Sequence, residues 1–263
     1  MRARGVAERR PAERIDVRLS EIFEESVSYA SKPRPGGVCT TRTVDAHVDA
    51  LTRRSHSTGL SLPPEFVDRL NRVARDRPLS AHGEETLTFR EFQEEGGRDR
   101  VALAVVKGAS EVPEVQRIAS DSMITEVVDR YLGYPARRVE SWLFWSPANR
   151  LTVAEREAVF QTVRFHYDVH GYNFMYVNFY LSNVDENSGA HVLVEGTHRG
   201  KRLRHLLGSA RLRDDQVRDA FGDDRVRIIG GPAGSCFFED TSCYHKALTP
   251  NSSDRLMLQL RYQ

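Results

Sequence analysis

Three side chains with metal-ligand chemistry stand out in this sequence: His166, Asp168 and His245. His166 and Asp168 are two residues apart, and on an extended segment side chains alternate faces, so both would point the same way. His245 follows in a stretch that we expect to be a distant strand. Two imidazoles and one carboxylate on one face of a metal leave open coordination positions, as in non-haem Fe(II) oxygenases. The pattern therefore predicts a catalytic metal site at these three residues.

Arg255 lies ten residues beyond His245 and supplies a different chemistry. A guanidinium presents a planar fork that binds a carboxylate through two parallel hydrogen bonds. On a strand beside the one carrying His245, it would hold the distal carboxylate of 2-oxoglutarate while the keto-acid end chelates iron. The alternative is an exposed arginine in the loop that follows residues 251–254.

The other histidines are weaker candidates for ligation. His170 would lie on the same face as His166 only on a helix, and this segment is predicted to be extended. His198 is expected to be a turn residue that hydrogen-bonds to the backbone. His191 and His205 are expected to be structural or exposed.

Composition limits the classes of function that need to be considered. The chain of 263 residues has a net charge of +1 and 40% hydrophobic residues, which gives no global case for nucleic-acid or membrane partners. No apolar run approaches the roughly 20 residues of a membrane helix. Residues 1–14 are basic but lack the apolar core of a secretory signal, so a cytoplasmic location is expected. Three cysteines without CxxC spacing predict buried thiols: Cys39, Cys236 and Cys243.

The chain divides into an N-terminal arm and one larger domain. Residues 1–60 contain an Arg/Glu-rich opening and a breaker cluster at 31–37, so we expect a partly ordered or lid-like arm. Residues 61–263 are expected to form a single domain with a core at about 139–263.

Helices are predicted mainly before this core. Pro63–Pro64 suits the first turn of one helix. A second helical run covers 113–132, with Asp121 as an internal cap and Gly133 as its end. A short helix is expected over 152–160, and a helical insertion over 203–220.

Short β-prone runs separated by Gly, Asn, Asp and Pro dominate the second half of the chain. Many short strands with turn signals favour a double-stranded β-helix, the jelly-roll core of cupins. The predicted fold class is mainly β with flanking helices (α+β). The expected strands are 101–106, 139–145, 163–168, 174–181, 191–194, 226–229, 235–238 and 256–262.

Over residues 101–262 the chain resembles the phytanoyl-CoA dioxygenase family of Fe(II)/2-oxoglutarate oxygenases. The matching motifs are His166-Tyr167-Asp168, the turn at 185–190, the segment at 196–199, His245 with Arg255, and the helix at 121–133. The resemblance implies that the first pair and the distal histidine bind iron and that the arginine binds 2-oxoglutarate.

The resemblance also implies contacts for the strand before Gly189. Eleven residues earlier, where this family often carries a cosubstrate contact, stands Asn178. Tyr176 and Tyr180 would share its strand face and line the pocket. For each of the three, packing inside the barrel with a satisfied polar tip is the alternative.

Two positions qualify the resemblance. Ala247 stands where some relatives place a hydroxyl that helps to hold the cosubstrate. Asp168 is retained, which argues against halogenation, because related halogenases lose this carboxylate to make room for chloride.

The implied activity is oxidation of a C–H bond, most simply hydroxylation, in a small molecule of a biosynthetic pathway. Fe(II), 2-oxoglutarate and O₂ would be the cofactor and cosubstrates, and succinate and CO₂ the coproducts. The expected partner is a small-molecule substrate, and the chain would act as a monomer or homodimer. A non-catalytic cupin-like binding module and a zinc-dependent hydrolase on the same barrel are the alternatives.

Overall fold

The computed structural model describes residues 26–27, 37–81, 85–94, 98–158, 163–170, 173–199, 201 and 210–263. Within these residues, helices pack on a ten-stranded sheet, and a three-stranded sheet faces its other side. The strands are β1 (Ser26–Val27), β2 (Cys39–Thr40), β3 (His56–Ser61), β4 (Leu79–Ala81), β5 (Glu85–Leu87), β6 (Ala104–Val106), β7 (Val139–Ser146), β8 (Met175–Tyr180), β9 (His191–Val194), β10 (Val226–Ile229), β11 (Ser235–Glu239), β12 (His245–Ala247) and β13 (Arg255–Tyr262).

The helices lie mostly before the long strands. They are α1 (Val44–Arg54), α2 (Pro64–Asp76), α3 (Phe89–Gln93), α4 (Pro113–Ala119), α5 (Ser122–Leu132), α6 (Val153–Ala158) and α7 (Asp214–Phe221). Among the described residues, no helix combines the length and apolar character needed to cross a bilayer.

The large sheet has the order β2-β3-β11-β8-β13-β7-β6-β4-β5, with β1 also paired to β7, and the small sheet has the order β10-β9-β12. All pairings of these strands are antiparallel. Two facing antiparallel sheets flanked by helices agree with the predicted jelly-roll core.

The central strand β13 shows how the two faces of the large sheet differ. Leu256, Leu258 and Leu260 are fully buried in the larger apolar cluster, where they pack with residues of α2, α4 and α5. Met257, on the opposite face, packs with Leu193 of the small sheet. Because strand side chains alternate, Arg255, Gln259 and Arg261 also face the space between the two sheets. We call this face the inner face.

Several predicted elements form for the expected reasons. The side chain of Asp121 accepts hydrogen bonds from the backbone N–H groups of Met123 (2.9 Å) and Ile124 (3.3 Å), and so caps α5. Its second oxygen accepts from the N–H of Gly37 at 2.8 Å, which ties the start of the main described segment to this helix. Gly133 ends α5 in the left-handed conformation.

Residues 37–60 lie in the segment that we expected to be a partly ordered or lid-like arm. They form β2, α1 and β3, and β3 pairs with β11 inside the large sheet. The sequence of β3 is mostly polar, and hydrogen bonding to β11 compensates for its weak apolar pattern. Residues 1–25 and 28–36 lie outside the described residues, and the division into arm and domain stays a prediction.

Two other expectations need correction. Residues 163–168 form isolated bridges instead of a continuous strand, and the strand expected over 101–106 is confined to 104–106. Of the insertion expected over 203–220, α7 is present, while residues 202–209 lie outside the described residues. The same holds for residues 159–160 at the end of the helix predicted over 152–160.

Candidate metal centre

Backbone hydrogen bonds bring the three predicted ligands together. The N–H of His166 donates to the carbonyl of His245 at 2.9 Å, and the N–H of His245 donates back to His166 at 2.8 Å. Two residues on, the N–H of Asp168 donates to the carbonyl of Thr241 at 2.9 Å. The His-x-Asp segment is therefore held in extended form along the start of β12, although it is not a full strand.

The side chains converge from this backbone. Asp168 Oδ1 lies 3.7 Å from His166 Nε2, and Asp168 Oδ2 lies 3.9 Å from His245 Nε2. One ligand atom from each of the three residues lies within 4.8 Å of the others, a spacing that could hold a single metal ion. The three side chains are 8–17% exposed, so the site is enclosed but reachable.

The tautomers suit a metal. His166 Nδ1 lies 3.0 Å from the carbonyl oxygen of Arg164, and His245 Nδ1 lies 3.1 Å from that of Cys243. A carbonyl only accepts hydrogen bonds, so each neutral ring carries its proton on Nδ1. Both Nε2 lone pairs are then left facing Asp168, which is the arrangement of a metal-binding histidine.

The charges also suit a metal. Burial, together with the neighbouring His245, lowers the pKa of His166 to about 4. Burial works to raise the pKa of Asp168, but the imidazoles of His245 and His166 outweigh it, so the pKa lies below its usual value. Neutral imidazoles and an ionised carboxylate are the protonation states that a divalent cation requires. The residues present therefore fit a metal ion with open positions.

A second donor set shares His245 and contains Glu239 and Cys243, also within 4.8 Å of one another. Burial and the charge of Glu239 raise the pKa of the Cys243 thiol well above its usual value. A metal needs the thiolate. Glu239 Oε1 is also engaged by His191 Nε2 at 2.8 Å. The first donor set is therefore the better candidate.

Arg255 begins β13 on the inner face, opposite Ser146 of β7, and is 4% exposed. The alternative of an exposed loop arginine is therefore wrong. Its Nη2 donates to Ser146 Oγ at 3.1 Å and its Nη1 to the carbonyl of Gly189, but within the described part of the chain its Nε has no hydrogen-bond partner. Among the described residues no carboxylate forms an ion pair with it. A buried arginine normally has a counter-ion, so Arg255 is a candidate binding group for an anion.

No family model and no curated protein matches the chain, but solved structures do. The non-haem α-ketoglutarate-dependent epimerase SnoN from nogalamycin biosynthesis is 13% identical, with a TM-score of 0.57 over 84% of this chain and 82% of its own. The chain has the fold of SnoN. The carbocyclase SnoK from the same biosynthesis is 17% identical, with a TM-score of 0.55 over 86% of this chain and 87% of that one. EvdO2 from Micromonospora carbonacea var. aurantiaca, solved with 2-oxoglutarate, is 15% identical, with a TM-score of 0.57 over 85% and 92%.

The predicted cosubstrate contacts on β8 are engaged by protein groups. Asn178 Nδ2 lies 3.4 Å from Glu239 Oε2, and its Oδ1 accepts from Gln259 Nε2 at 2.9 Å. The hydroxyl of Tyr176 lies 3.5 Å from Arg261 Nη1. Both residues lie on the inner face, but among the described residues neither has a buried polar atom without a hydrogen-bond partner, as Arg255 has in its Nε. Their contact with a cosubstrate stays a prediction.

Tyr180, His191 and Glu239 form the wall between the metal site and Arg255. The contact between His191 and Glu239 was not predicted from the sequence. The ring of His191 stacks on that of His245 with centroids 5.5 Å apart, and its backbone N–H donates to the hydroxyl of Tyr180 at 3.1 Å. Burial raises the pKa of Tyr180 to about 12 although the nearby charge of Arg255 lowers it.

The sequence holds a weak signal for this pair. Glu239 ends the apolar run of β11, where a charge on the inward face is unusual. His191 opens an otherwise apolar strand. His198 behaves as predicted, with Nε2 3.2 Å from the carbonyl of Thr52, whereas His205 lies outside the described residues.

Proposed function

We propose that this chain is a non-haem Fe(II)/2-oxoglutarate-dependent enzyme that oxidises a C–H bond of a small molecule in a biosynthetic pathway. One observation carries the proposal. His166, Asp168 and His245 offer an open three-ligand site, and the same inner space contains a buried arginine for which the described residues provide no counter-ion. A bound iron ion would account for the three-ligand site. A dicarboxylate that chelates this iron would account for the three-ligand site and also provide a counter-ion for the buried arginine.

The residues between the three-ligand site and Arg255 support the proposal that one ligand reaches both. His245 contacts His191, His191 contacts Tyr180, and the charge of Arg255 acts on Tyr180. A cosubstrate that spans this wall would place its keto-acid end at the metal and its far carboxylate at Arg255. Nε–H of Arg255, which has no hydrogen-bond partner among the residues that the structure describes, would donate to that carboxylate beside the groups already hydrogen-bonded to Ser146 and Gly189.

When bound, Fe(II), 2-oxoglutarate and O₂ would supply the oxidising chemistry, with release of succinate and CO₂. The residues of this chain hold and orient these groups. Phe237 and Met257, both almost fully buried, exclude water from the inner space beside Tyr180. SnoN is an epimerase and SnoK a carbocyclase. Hydroxylation is our first expectation for this chain, and epimerisation or ring closure are related outcomes.

The test is 2-oxoglutarate consumption by the full chain after metal removal and reloading. With Fe(II), ascorbate and air, we expect slow release of succinate even without the true substrate, and no release with Zn(II). Absence of succinate with both metals, although Fe(II) binds, would indicate a non-catalytic binding module. Ester or amide hydrolysis with Zn(II) alone would indicate the hydrolase alternative and overturn the proposal.

A further inference from the structure

The metal ligand His245 is contacted by two groups outside its donor set. Its Nδ1 lies 3.1 Å from the carbonyl oxygen of Cys243, and the ring of His191 stacks on it with centroids 5.5 Å apart and planes inclined by 22°. His245 is paired with Leu193, and His191 is paired with Ala247, two positions away on each strand. The two histidines are therefore diagonal neighbours on one face of the small sheet, where aromatic rings can reach each other.

The carboxylate of Glu239 contacts both of these groups. Its Oε1 accepts a hydrogen bond from His191 Nε2 at 2.8 Å, and the thiol of Cys243 donates to the same oxygen at 3.8 Å. Its Oε2 lies 3.4 Å from Asn178 Nδ2. The side chain of Glu239 has no exposed surface. One fully buried carboxylate thus contacts the ring that stacks on His245 and the residue whose carbonyl group orients His245.

Stability alone does not account for the pair of Glu239 and His191. Both residues are buried, and β9 is otherwise apolar. Exchange of both partners of a buried hydrogen bond for apolar groups of the same shape can be nearly neutral for stability. A hydrogen bond is directional, whereas the attraction between apolar groups is not. What the polar pair provides, and an apolar pair would not, is a fixed orientation of the imidazole next to His245.

We propose that Glu239 is a positioning residue for the metal ligand His245 and acts through His191. The hydrogen bond to Glu239 fixes the rotation of the His191 ring, and this ring in turn limits the rotation of the His245 ring. The carbonyl of Cys243 sets the tautomer of His245, and the stacked ring keeps its Nε2 directed at Asp168. The inference rests on the metal site of the proposed function and does not depend on which reaction follows.

Two neutral substitutions of similar length separate position from charge. Glu239→Gln keeps an oxygen that accepts from His191 Nε2. Its new N–H group needs an acceptor, and Asn178 becomes one when its amide turns over. Gln259, which donates to Asn178 Oδ1 at 2.9 Å and is partly exposed, can turn over with it. Glu239→Met has similar length but only a weakly accepting thioether, so it loses the hydrogen bond to His191.

Both variants are titrated with Co(II) as the full chain, and the affinity and visible spectrum of bound Co(II) are measured. We expect Glu239→Gln to stay within about threefold of the unaltered chain and Glu239→Met to bind roughly 10–100-fold more weakly, as when an outer partner of a metal ligand is lost. The spectrum of Glu239→Met should also change, because it depends on the orientation of His245. Equal losses in both variants would show that charge acts instead of position and would overturn the proposal. Unchanged affinity and spectrum in Glu239→Met would also overturn it.

Ser57→Ala is the matched control for a general loss of stability. It too removes the partner of a buried imidazole, since Ser57 Oγ lies 2.8 Å from His47 Nδ1. That imidazole packs against Phe238 on the helix-covered face of the large sheet. We expect Ser57→Ala to lower the free energy of unfolding and to leave Co(II) affinity and spectrum unchanged. A loss of affinity as large as that in Glu239→Met would overturn the assigned role.

If Glu239→Met does not fold, His191→Leu is introduced beside Glu239→Gln. It removes the stacked ring, while Cys243 and Asn178 remain as partners for the new amide. Co(II) should bind about two- to tenfold more weakly than in Glu239→Gln alone, the size of one aromatic pair, and equal affinity overturns the proposal. An unaltered chain that binds no Co(II) refutes the proposed function together with this role. Normal Co(II) binding that does not respond to these substitutions refutes only the role of Glu239.

Discussion

His166 and His245 exchange both of their backbone hydrogen bonds, at 2.9 and 2.8 Å, and their imidazole centroids lie 4.2 Å apart. Residues paired in this way in an antiparallel ladder project their side chains to the same face. The distance between the two imidazoles is therefore set by the main chain. Each ring is in addition oriented by a carbonyl on its Nδ1.

Asp168→Ala should abolish metal binding and turnover without unfolding the chain. It removes the only carboxylate of the favoured donor set, and its side chain is 17% exposed, so little packing is lost. We expect more than about a hundredfold loss of 2-oxoglutarate consumption, since even outer partners of metal ligands are worth 10–100-fold. Asp219→Ala, on the exposed side of α7, is the control. Unchanged Fe(II) affinity in the Asp168 variant would contradict the assignment.

Arg255→Lys should raise the KM for 2-oxoglutarate with a smaller effect on kcat at saturation. Lysine keeps the charge but loses the planar fork and its two fixed hydrogen bonds to Ser146 and Gly189. Loss of one charge-assisted hydrogen bond, about 1.5–3 kcal/mol, corresponds to roughly a ten- to hundredfold change. Arg90→Lys, at an exposed position in α3, should behave like the unaltered chain. An unaltered KM in the Arg255 variant would remove its assigned role.

The two overlapping donor sets can be separated with Co(II). We expect Cys243→Ser to leave the Co(II) absorption spectrum and affinity nearly unchanged, because the buried thiol beside Glu239 stays protonated. His166→Ala should abolish binding. A sulfur-to-metal charge-transfer band that disappears in Cys243→Ser would show that the thiol set is used instead.

Stability should fall in mild acid, in part through His47. This buried ring lies 2.8 Å from Ser57 Oγ and 3.0 Å from Thr40 Oγ1, and burial, with a smaller effect of Arg42, lowers its pKa to about 4. Since the unfolded chain takes up a proton near pH 6.5 and the folded chain does not, its contribution is complete above pH 6.5. It is lost as the pH falls toward 4, by at most about 1.4 kcal/mol per pH unit.

Urea unfolding at several pH values measures this contribution. His47→Asn should be less stable at pH 7, but its stability should decline less steeply between pH 6.5 and 4. Parallel curves for the two chains would show that another group takes up the proton. Other buried histidines are common to both chains, so the difference in slope isolates His47.

The parts of the candidate site that depend on residues close to one another in the sequence could be predicted. The alternation of strand side chains places His166 and Asp168 on one side, and Arg255 follows His245 closely enough to share the same wall. The contact between Glu239 and His191 could not be predicted, because their 2.8 Å distance depends on β11 and β9 facing each other from different sheets. The residues that flank each of them in the sequence do not indicate that the two side chains are in contact.

The fold shows the same limit. Helix starts such as Asp121 were predictable because a cap acts within three residues. The strand β3 was missed because four of its six residues are polar or histidine and a fifth is glycine. Its structure comes from β11, more than 170 positions later, and a pattern within a short window carries no information about such a partner.

The central place of β13 in the large sheet has a consequence for how the chain is made. Its two neighbours, β7 and β8, leave the ribosome first, and β13 begins 75 residues after β8 ends. At about 5–20 residues per second, β8 waits roughly 4–15 s for β13, and β7 waits longer, each with an unpaired backbone edge. Open edges invite pairing with other chains. Production of this protein should therefore benefit from added chaperones that cover these edges, more than from any change near its surface.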